Sequence, residues 1–427
     1  MFREPPQRRK PEKGAAGEVV KSGGFSYRGV FTGDTALPDA TLITLLQQLI
    51  AVPSINPSLA HDPALAGEER YGRLLASELE ARGFRITWHT PTPGRPNFIA
   101  RRGPAQPRRR LLVEAHLDTQ GVEGMIVDPF AGVIRDGRLY GRGACDQKGP
   151  TAAALHALDA EVLTALHDAG VELLFAGAMG EERGNLGAEQ LVDIGLGADE
   201  GLVLEPTDLH VVHAHKGAFW FEVEVQGRAA HGSGPEHGVN AIEGMAAALQ
   251  VVRAQVDQAA AAHHSALLGR PTVNVGVIRG GTSINIVPDR CVVEIDRRTL
   301  PGEDHAGILS FLRDGLAGLQ ARGALTGFAV RVIKDGRPFE TAGDSPLVRR
   351  LLDSCATCGV EARAEGAAWF SDAGPFARTC PQIAVFGPGS IRQAHTVDEY
   401  IEVASLQQGA EILRDFFLRL ALAVAAA

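Results

Sequence analysis

The order of apolar runs along the chain changes character once, and that change constrains the fold more than any single residue does. Short strand-like runs at 84–88, 97–100, 111–115, 171–176, 202–204 and 383–386 alternate with helical stretches. Leu42, Leu45, Leu46 and Leu49 fall on one helical face, a second helix is read over 65–82 with Gly83 closing it, and another over 149–167. Strands alternating with helices predict an α/β domain with a mostly parallel sheet. From Lys216 to about Lys334 the order becomes strand (218–225), helix (239–256), strand (272–278), strand (291–296), helix (305–319) and strand (328–333). A β-α-β-β-α-β order matches a ferredoxin-like sandwich. The chain is thus read as an α/β domain built from residues 36–215 and 335–427, with a ferredoxin-like α+β domain, residues 216–334, inserted in it. Residues 1–35, rich in Gly, Pro, Lys and Arg and without periodicity, read as a flexible tail.

Composition excludes several classes of function. The net charge is −9 and no long basic stripe runs through the body of the chain, whereas phosphate backbones are bound by clustered Lys and Arg. No run of about 18 apolar residues is present to cross a membrane. The segment Met1 to Lys13 is polar and basic with no apolar stretch behind it, unlike a secretory signal, so the expected location is the cytoplasm. Five cysteines spread over 427 residues suggest reduced thiols rather than a disulfide framework. Cys355 and Cys358 have C-x-x-C spacing within an apparent helix, and with no second pair nearby they read as packing.

Acids and histidines stand at the ends of the strand-like runs, where α/β domains place their ligand sites. His116 follows an apolar run and Asp118 lies two residues on, a spacing that lets a carboxylate or carbonyl orient a metal-binding imidazole. Asp146 stands among Gly141, Gly143 and Gly149, as in a tight loop that aims one carboxylate. Glu181 and Glu182 are adjacent acids that repel unless a cation holds one of them. Glu205 closes another run, and His395 lies far downstream in Gln393-Ala394-His395-Thr396-Val397-Asp398-Glu399. Each alone fits a turn or a solvated loop. Together they supply two histidines and several carboxylates, a donor set suited to a divalent ion such as zinc. One shared carboxylate with two further ligands per ion would set two ions about 3.5–4 Å apart.

From about Pro38 to the C-terminus the chain resembles the acetylornithine deacetylase and succinyl-diaminopimelate desuccinylase family of zinc amidohydrolases. That family also holds aminoacylases, dipeptidases and glutamate-releasing carboxypeptidases. H-L-D-T from His116, G-R-G-A-C-D-Q-K-G from Gly141, G-E-E from Gly180, L-E-P-T from Leu204 and A-H-T-V-D-E-Y from Ala394 occur in the family's order. Phe386-Gly387-Pro388-Gly389-Ser390-Ile391 is most similar to the acetylornithine deacetylase branch. The resemblance implies a zinc-exopeptidase-like catalytic domain and two divalent ions, Zn2+ first, with Co2+ or Mn2+ also suited to mixed N/O ligands. It implies Asp146 as the bridging carboxylate, His116 and Glu205 completing one metal site, Glu182 and His395 the other, and Glu181 as general base, with Asp118 behind His116. It also implies a cis peptide between Asp146 and Gln147. The inserted domain would serve as lid and dimer interface, so that His231 stabilises an oxyanion in the partner subunit's site. Asn285 and Arg298 would meet a substrate carboxylate, and the Gly387 to Gly389 loop would offer it backbone N–H groups. Arg297, next to Arg298 on a strand, should face away.

These features predict metal-dependent hydrolysis of an amide bond in a small N-acyl amino acid, and the resemblance implies a homodimer. A dipeptidase or carboxypeptidase of the same family is the alternative within enzymes, and an inactive binding protein the alternative outside them; the intact Glu181 and full ligand set favour an enzyme. No G-x-S-x-G serine elbow, dinucleotide fingerprint or P-loop occurs. His213 and His215 share a strand face but are read as structural, since the ligand set is full without them, and His263-His264 as an exposed loop pair.

Overall fold

Strands that end in the acids and histidines lie side by side in the protein. The computed structural model describes residues 39–427, and the tail read over residues 1–35 lies outside them. Strands Val171–Ala178, Arg109–His116, Glu200–Val203 and Gln382–Val385 are parallel neighbours, in that spatial order, at the middle of a nine-stranded sheet. Antiparallel strands Arg85–Thr92 and Arg95–Arg102 extend one side; Val211–His215, Phe339–Glu340 and Ala364–Ala367 finish the other. The central strands are apolar almost throughout because both of their faces are covered. Leu111, Val113, Leu173 and Phe175 pack into one core with the helices Ala40–Ile50, Lys148–Ala157 and Val403–Ala426. Leu112, Leu174 and Ala176, one residue out of phase, enter a second core with helices Leu186–Asp193 and Ala373–Phe376.

The fold class agrees with the sequence reading, and the differences are local. The helix read over 149–167 is two helices, Lys148–Ala157 and Ala160–Ala169, because Asp159 caps the second by accepting the Val162 N–H at 2.9 Å. The helix read from 65 starts at Glu68, after a short turn over Pro63–Leu65. A small sheet of Val133–Arg135, Arg138–Tyr140 and Tyr400–Glu402 has no counterpart in the sequence reading. It ties the downstream loop that carries His395 to the Gly141 turn, where Gly141 N–H meets Glu399 O at 3.0 Å.

The segment between the two parts of the large sheet forms its own four-stranded antiparallel sheet, in the order Thr272–Gly280, Arg290–Thr299, Gly217–Gln226, Gly327–Gly336. Helices Ala241–Ala262 and His305–Ala321 cover one face of it through Phe219, Phe221, Val223, Val293 and Ile295. The opposite face carries Trp220, whose indole N–H donates to Asp296 Oδ1 at 2.9 Å, with Arg298 against the same carboxylate at 3.0 Å.

One ion pair fastens the large sheet to a helix. Arg350, on Pro346–Thr357, donates to Glu200 at 2.6 Å, and both side chains are buried. Arg350→Met leaves the Glu200 charge buried without its partner. The expected loss is about 3–5 kcal/mol of stability, read from the urea midpoint of the metal-loaded protein.

Candidate metal centre

Because the central strands run parallel, their C-terminal ends open on one edge of the sheet, and the loops there converge. His116 ends Arg109–His116, Glu181 and Glu182 follow Val171–Ala178, and Glu205 follows Glu200–Val203. Asp146 comes from the turn before Lys148–Ala157, and His395 from the loop beyond Gln382–Val385. The Asp146–Gln147 peptide bond is cis, and His395 holds a left-handed φ of 65°. A non-glycine residue in that region is uncommon, and here it aims the imidazole at two acids.

Two groups of donor atoms result, His116 with Asp146 and Glu205, and Asp146 with Glu182 and His395. The two oxygens of Asp146 divide between them. Oδ1 lies 3.0 Å from His116 Nε2, while Oδ2 lies 3.2 Å from His395 Nε2. Glu205 Oε1 is 3.9 Å from His116 Nε2, and Glu182 Oε2 is 3.0 Å from His395 Nε2. Four ligands at zinc-like bond lengths stand about 3.3 Å apart at the corners of a tetrahedron, so these separations suit a cation. The charges point the same way. Burial and then the neighbouring Asp146 charge push Glu182 and Glu205 above the usual carboxylate range. Burial also works on Asp146, but hydrogen bonds with His116 and His395 outweigh it and hold that carboxyl below the range. Glu182 Oε1 is buried with no hydrogen-bond partner among the described residues. Three crowded carboxylates with an orphaned oxygen are the donor set that a pair of divalent ions satisfies.

The surrounding shell fixes these groups. His116 Nδ1 lies 2.8 Å from the backbone carbonyl of Asp118 and 3.7 Å from its carboxylate. The ring is therefore oriented by the carbonyl, with Nδ1–H donating and Nε2 free for a cation. The Asp118 carboxylate holds the next loop: it accepts the N–H groups of Gly180 and Glu181 at 3.0 Å each and of Glu182 at 3.1 Å, with Asn56 at 2.8 Å. Glu399, quoted in the sequence but given no role there, is fully buried beneath Asp146. It accepts the N–H groups of Cys145 and Asp146 at 2.9 Å each, and Arg142 at 2.6 Å. Gln120 donates to Glu182 Oε2 at 2.8 Å.

Glu181 lies outside both donor groups. Its Oε1 accepts from Asn185 Nδ2 at 3.0 Å. Burial pushes its pKa up to about 8, with Asp372 and Glu182 adding to the rise and His116 and Lys334 opposing it.

The expected substrate contacts are scattered. Arg298 and Arg297 do face opposite ways: Arg297 is buried against Glu303 at 2.5 Å, while Arg298 is half-exposed beside Asp296. His231 and Asn285 are exposed, with Gly232 N–H meeting Asn285 O at 2.8 Å, and each is hydrogen-bonded to a nearby serine rather than to the Asp146 groups. The expectation that the Gly387 to Gly389 loop offers free N–H groups is corrected. Gly387 N–H goes to Thr207 Oγ1 at 3.2 Å and Gly389 N–H to Ser405 Oγ at 3.1 Å. Close packing accounts for the glycines instead, since a Cβ at Gly387 would stand 2.6 Å from Glu205 O. His213 and His215 are buried, bonded to Thr341 O and Lys216 O, and burial takes His215 down to about 3.

Comparison with known proteins agrees with this geometry. The family model described as Peptidase family M20/M25/M40 matches residues 112–419. The chain is 33% identical over 321 residues to "Acetylornithine deacetylase" from Myxococcus xanthus, covering 73% of this chain and 80% of that protein. It is 31% identical over 388 residues to "Acetylornithine deacetylase" from Proteus mirabilis (strain HI4320), covering 87% and 95%. Among solved structures, the M20 family metallo-carboxypeptidase Sso-CP2 from Sulfolobus solfataricus superposes with a TM-score of 0.72 at 20% identity, over 89% of this chain and 99% of that one. With the family model spanning most of the chain and the Asp146-centred donor groups in place, the protein belongs to Peptidase family M20/M25/M40 and is a metal-dependent hydrolase of amide bonds.

Proposed function

We propose that the chain removes the acyl group from a small N-acyl amino acid, as an acetylornithine deacetylase-like deacylase with two divalent ions, Zn2+ first among them. The observation that carries the reading is Asp146, whose two oxygens each face a separate pair of donors while Glu181 stays outside both. The names of the two curated relatives support the acyl-amino-acid substrate. His116, Asp146 and Glu205 would hold one ion, and Asp146, Glu182 and His395 the other. When bound, the pair supplies Lewis acidity at the scissile carbonyl and lowers the pKa of water.

The chain's own residues do the rest. Glu181 takes a proton from the attacking water, and its raised pKa suits it to return that proton to the leaving amine. Asp118 and Asn56 hold the 180–182 loop so that the base keeps its place. Arg298, freed from Asp296, offers its planar fork to the substrate carboxylate. Residues 36–215 and 335–427 act as the catalytic domain and residues 216–334 as lid and dimer interface, which brings His231 to the partner subunit's site of a cytoplasmic homodimer and Asn285 to a substrate carboxylate.

The test is hydrolysis of a panel of N-acyl amino acids headed by N-acetylornithine, with dipeptides alongside, on metal-stripped protein with and without added zinc. Turnover of the acyl amino acids that returns only with metal is the expected result. Preferential cleavage of dipeptides would replace the deacylase with a dipeptidase. Two ions bound and no turnover of any member would sink the enzymatic reading of this substrate class.

A further inference from the structure

We infer that Asn185 and Lys334 are a positioning pair for Glu181, through which the sheet of residues 217–336 reaches the catalytic base. Asn185 is buried, in a left-handed conformation with φ of 59°. Its side-chain nitrogen donates to Glu181 Oε1 at 3.0 Å and to Asp372 Oδ1 at 2.8 Å, and its oxygen accepts from Lys334 Nζ. An amide has two N–H donors, and both are used here. Rotating it by half a turn would set its oxygen against two carboxylates and its N–H groups against an ammonium, so only one orientation is favourable. In that orientation Glu181 Oε1 is held, and Oε2 is left to meet water.

Lys334 comes from the other sheet. On strand Gly327–Gly336 a register shift falls between Val332 and Lys334, so that Val332 pairs with Phe221 and Lys334 with Trp220. A bulge re-aims the residue that follows it. Without this one Lys334 would share the helix-covered face with Phe221; with it, Lys334 joins Trp220, Asp296 and Arg298. Its ammonium lies 4.4 Å from the Phe370 ring centre and 5.0 Å from that of Trp220, which leaves Asn185 Oδ1 as its hydrogen-bonding partner. The face that carries Arg298 toward a substrate therefore also carries the cation that fixes the amide behind the base. The base is set when that face is docked, so binding and base orientation are coupled.

The inference rests on Glu181 being the base, and the experiment separates the two. Lys334→Met and Asn185→Gly (glycine accepts the left-handed φ) are compared with the parent for kcat, KM, bound metal and backbone hydrogen exchange. A displaced catalytic group costs up to about 100-fold, and each variant is expected to lose about 10–100-fold in kcat with KM changed by less than about 3-fold. Bound metal should be unchanged. Lys334→Arg should recover most of the loss. The double variant should lose no more than Asn185→Gly alone, because the two act as one unit. Amides of residues 181–186 should exchange faster in both single variants. A rise in KM with kcat intact would make Lys334 a substrate ligand and overturn the pairing, and so would additive losses or unchanged exchange. Parent-like turnover in Glu181→Gln together with faster exchange in both variants would sink the catalytic role of Glu181 while supporting the contact itself.

Discussion

Glu181→Gln protein is expected to bind its metal ions in the parent's amount and to turn over about 10³–10⁴-fold more slowly, with KM changed little. The reasons are separable. Glutamine fills the same space, and its carbonyl can still accept from Asn185 Nδ2, which now meets Glu181 Oε1 at 3.0 Å. Glu181 belongs to neither donor group around Asp146, so its loss removes no ligand. What the amide cannot do is take up a proton. In the proposed reaction the same carboxylate would serve twice in one cycle, first for the water and then for the leaving amine, which places the expected effect at the upper end of the range for acid–base groups. Burial raises the affinity of this carboxylate for a proton, to a pKa of about 8, which favours its taking up the proton of the water. The check is steady-state kinetics beside elemental analysis of the same preparation. Residual kcat above about a tenth of the parent's would transfer the proton step to another group, since a positioned acid–base group typically contributes at least about 100-fold. Loss of metal together with activity would instead make Glu181 a ligand.

How much of this was legible beforehand depends on whether a feature is local. The central strands could be read because strands covered on both faces are continuously apolar, and the acids and histidines at their ends were marked by that contrast. Spatial adjacency was less accessible: Arg109–His116 lies between Val171–Ala178 and Glu200–Val203, an order that no window of sequence contains. The cap at Asp159 that splits one helix is a local signal that apolar periodicity running through it concealed. The residues that support the site were missed for a different reason. Glu399 is 253 positions from the Asp146 N–H it accepts, and Asn185 is 149 from Lys334. Nothing near a buried glutamate or asparagine in the chain says which backbone or cation it will meet. Asp118 shows the limit from the other side, because its place beside His116 was read correctly while its carboxylate serves the 180–182 loop. The Gly387 to Gly389 loop likewise looks like an anion nest in sequence, and the hydroxyls of Thr207 and Ser405 that occupy its N–H groups come from elsewhere in the chain.

Asp146→Ala separates a shared site from two independent ones, and it is expected to abolish binding of both ions at once. Asp146 Oδ1 faces His116 and Glu205, and Oδ2 faces His395 and Glu182, so one substitution takes a ligand from each group. Losing even an outer-shell partner of a ligand typically weakens metal binding by about 10–100-fold, and removing a ligand that also neutralises charge at both positions should exceed that. His395→Ala is the matched control. That histidine is half-exposed on its loop and enters only the group with Glu182, so its loss should release one ion and keep the one held at His116 and Glu205. Equilibrium dialysis followed by elemental analysis reads both variants on one scale, without any substrate. The backbone should survive either change, because Glu399 holds residue 146 through its N–H group and not through its side chain. If Asp146→Ala keeps one ion with parent-like affinity, the carboxylate belongs to a single site, and the two donor groups bind their ions independently rather than through a shared ligand.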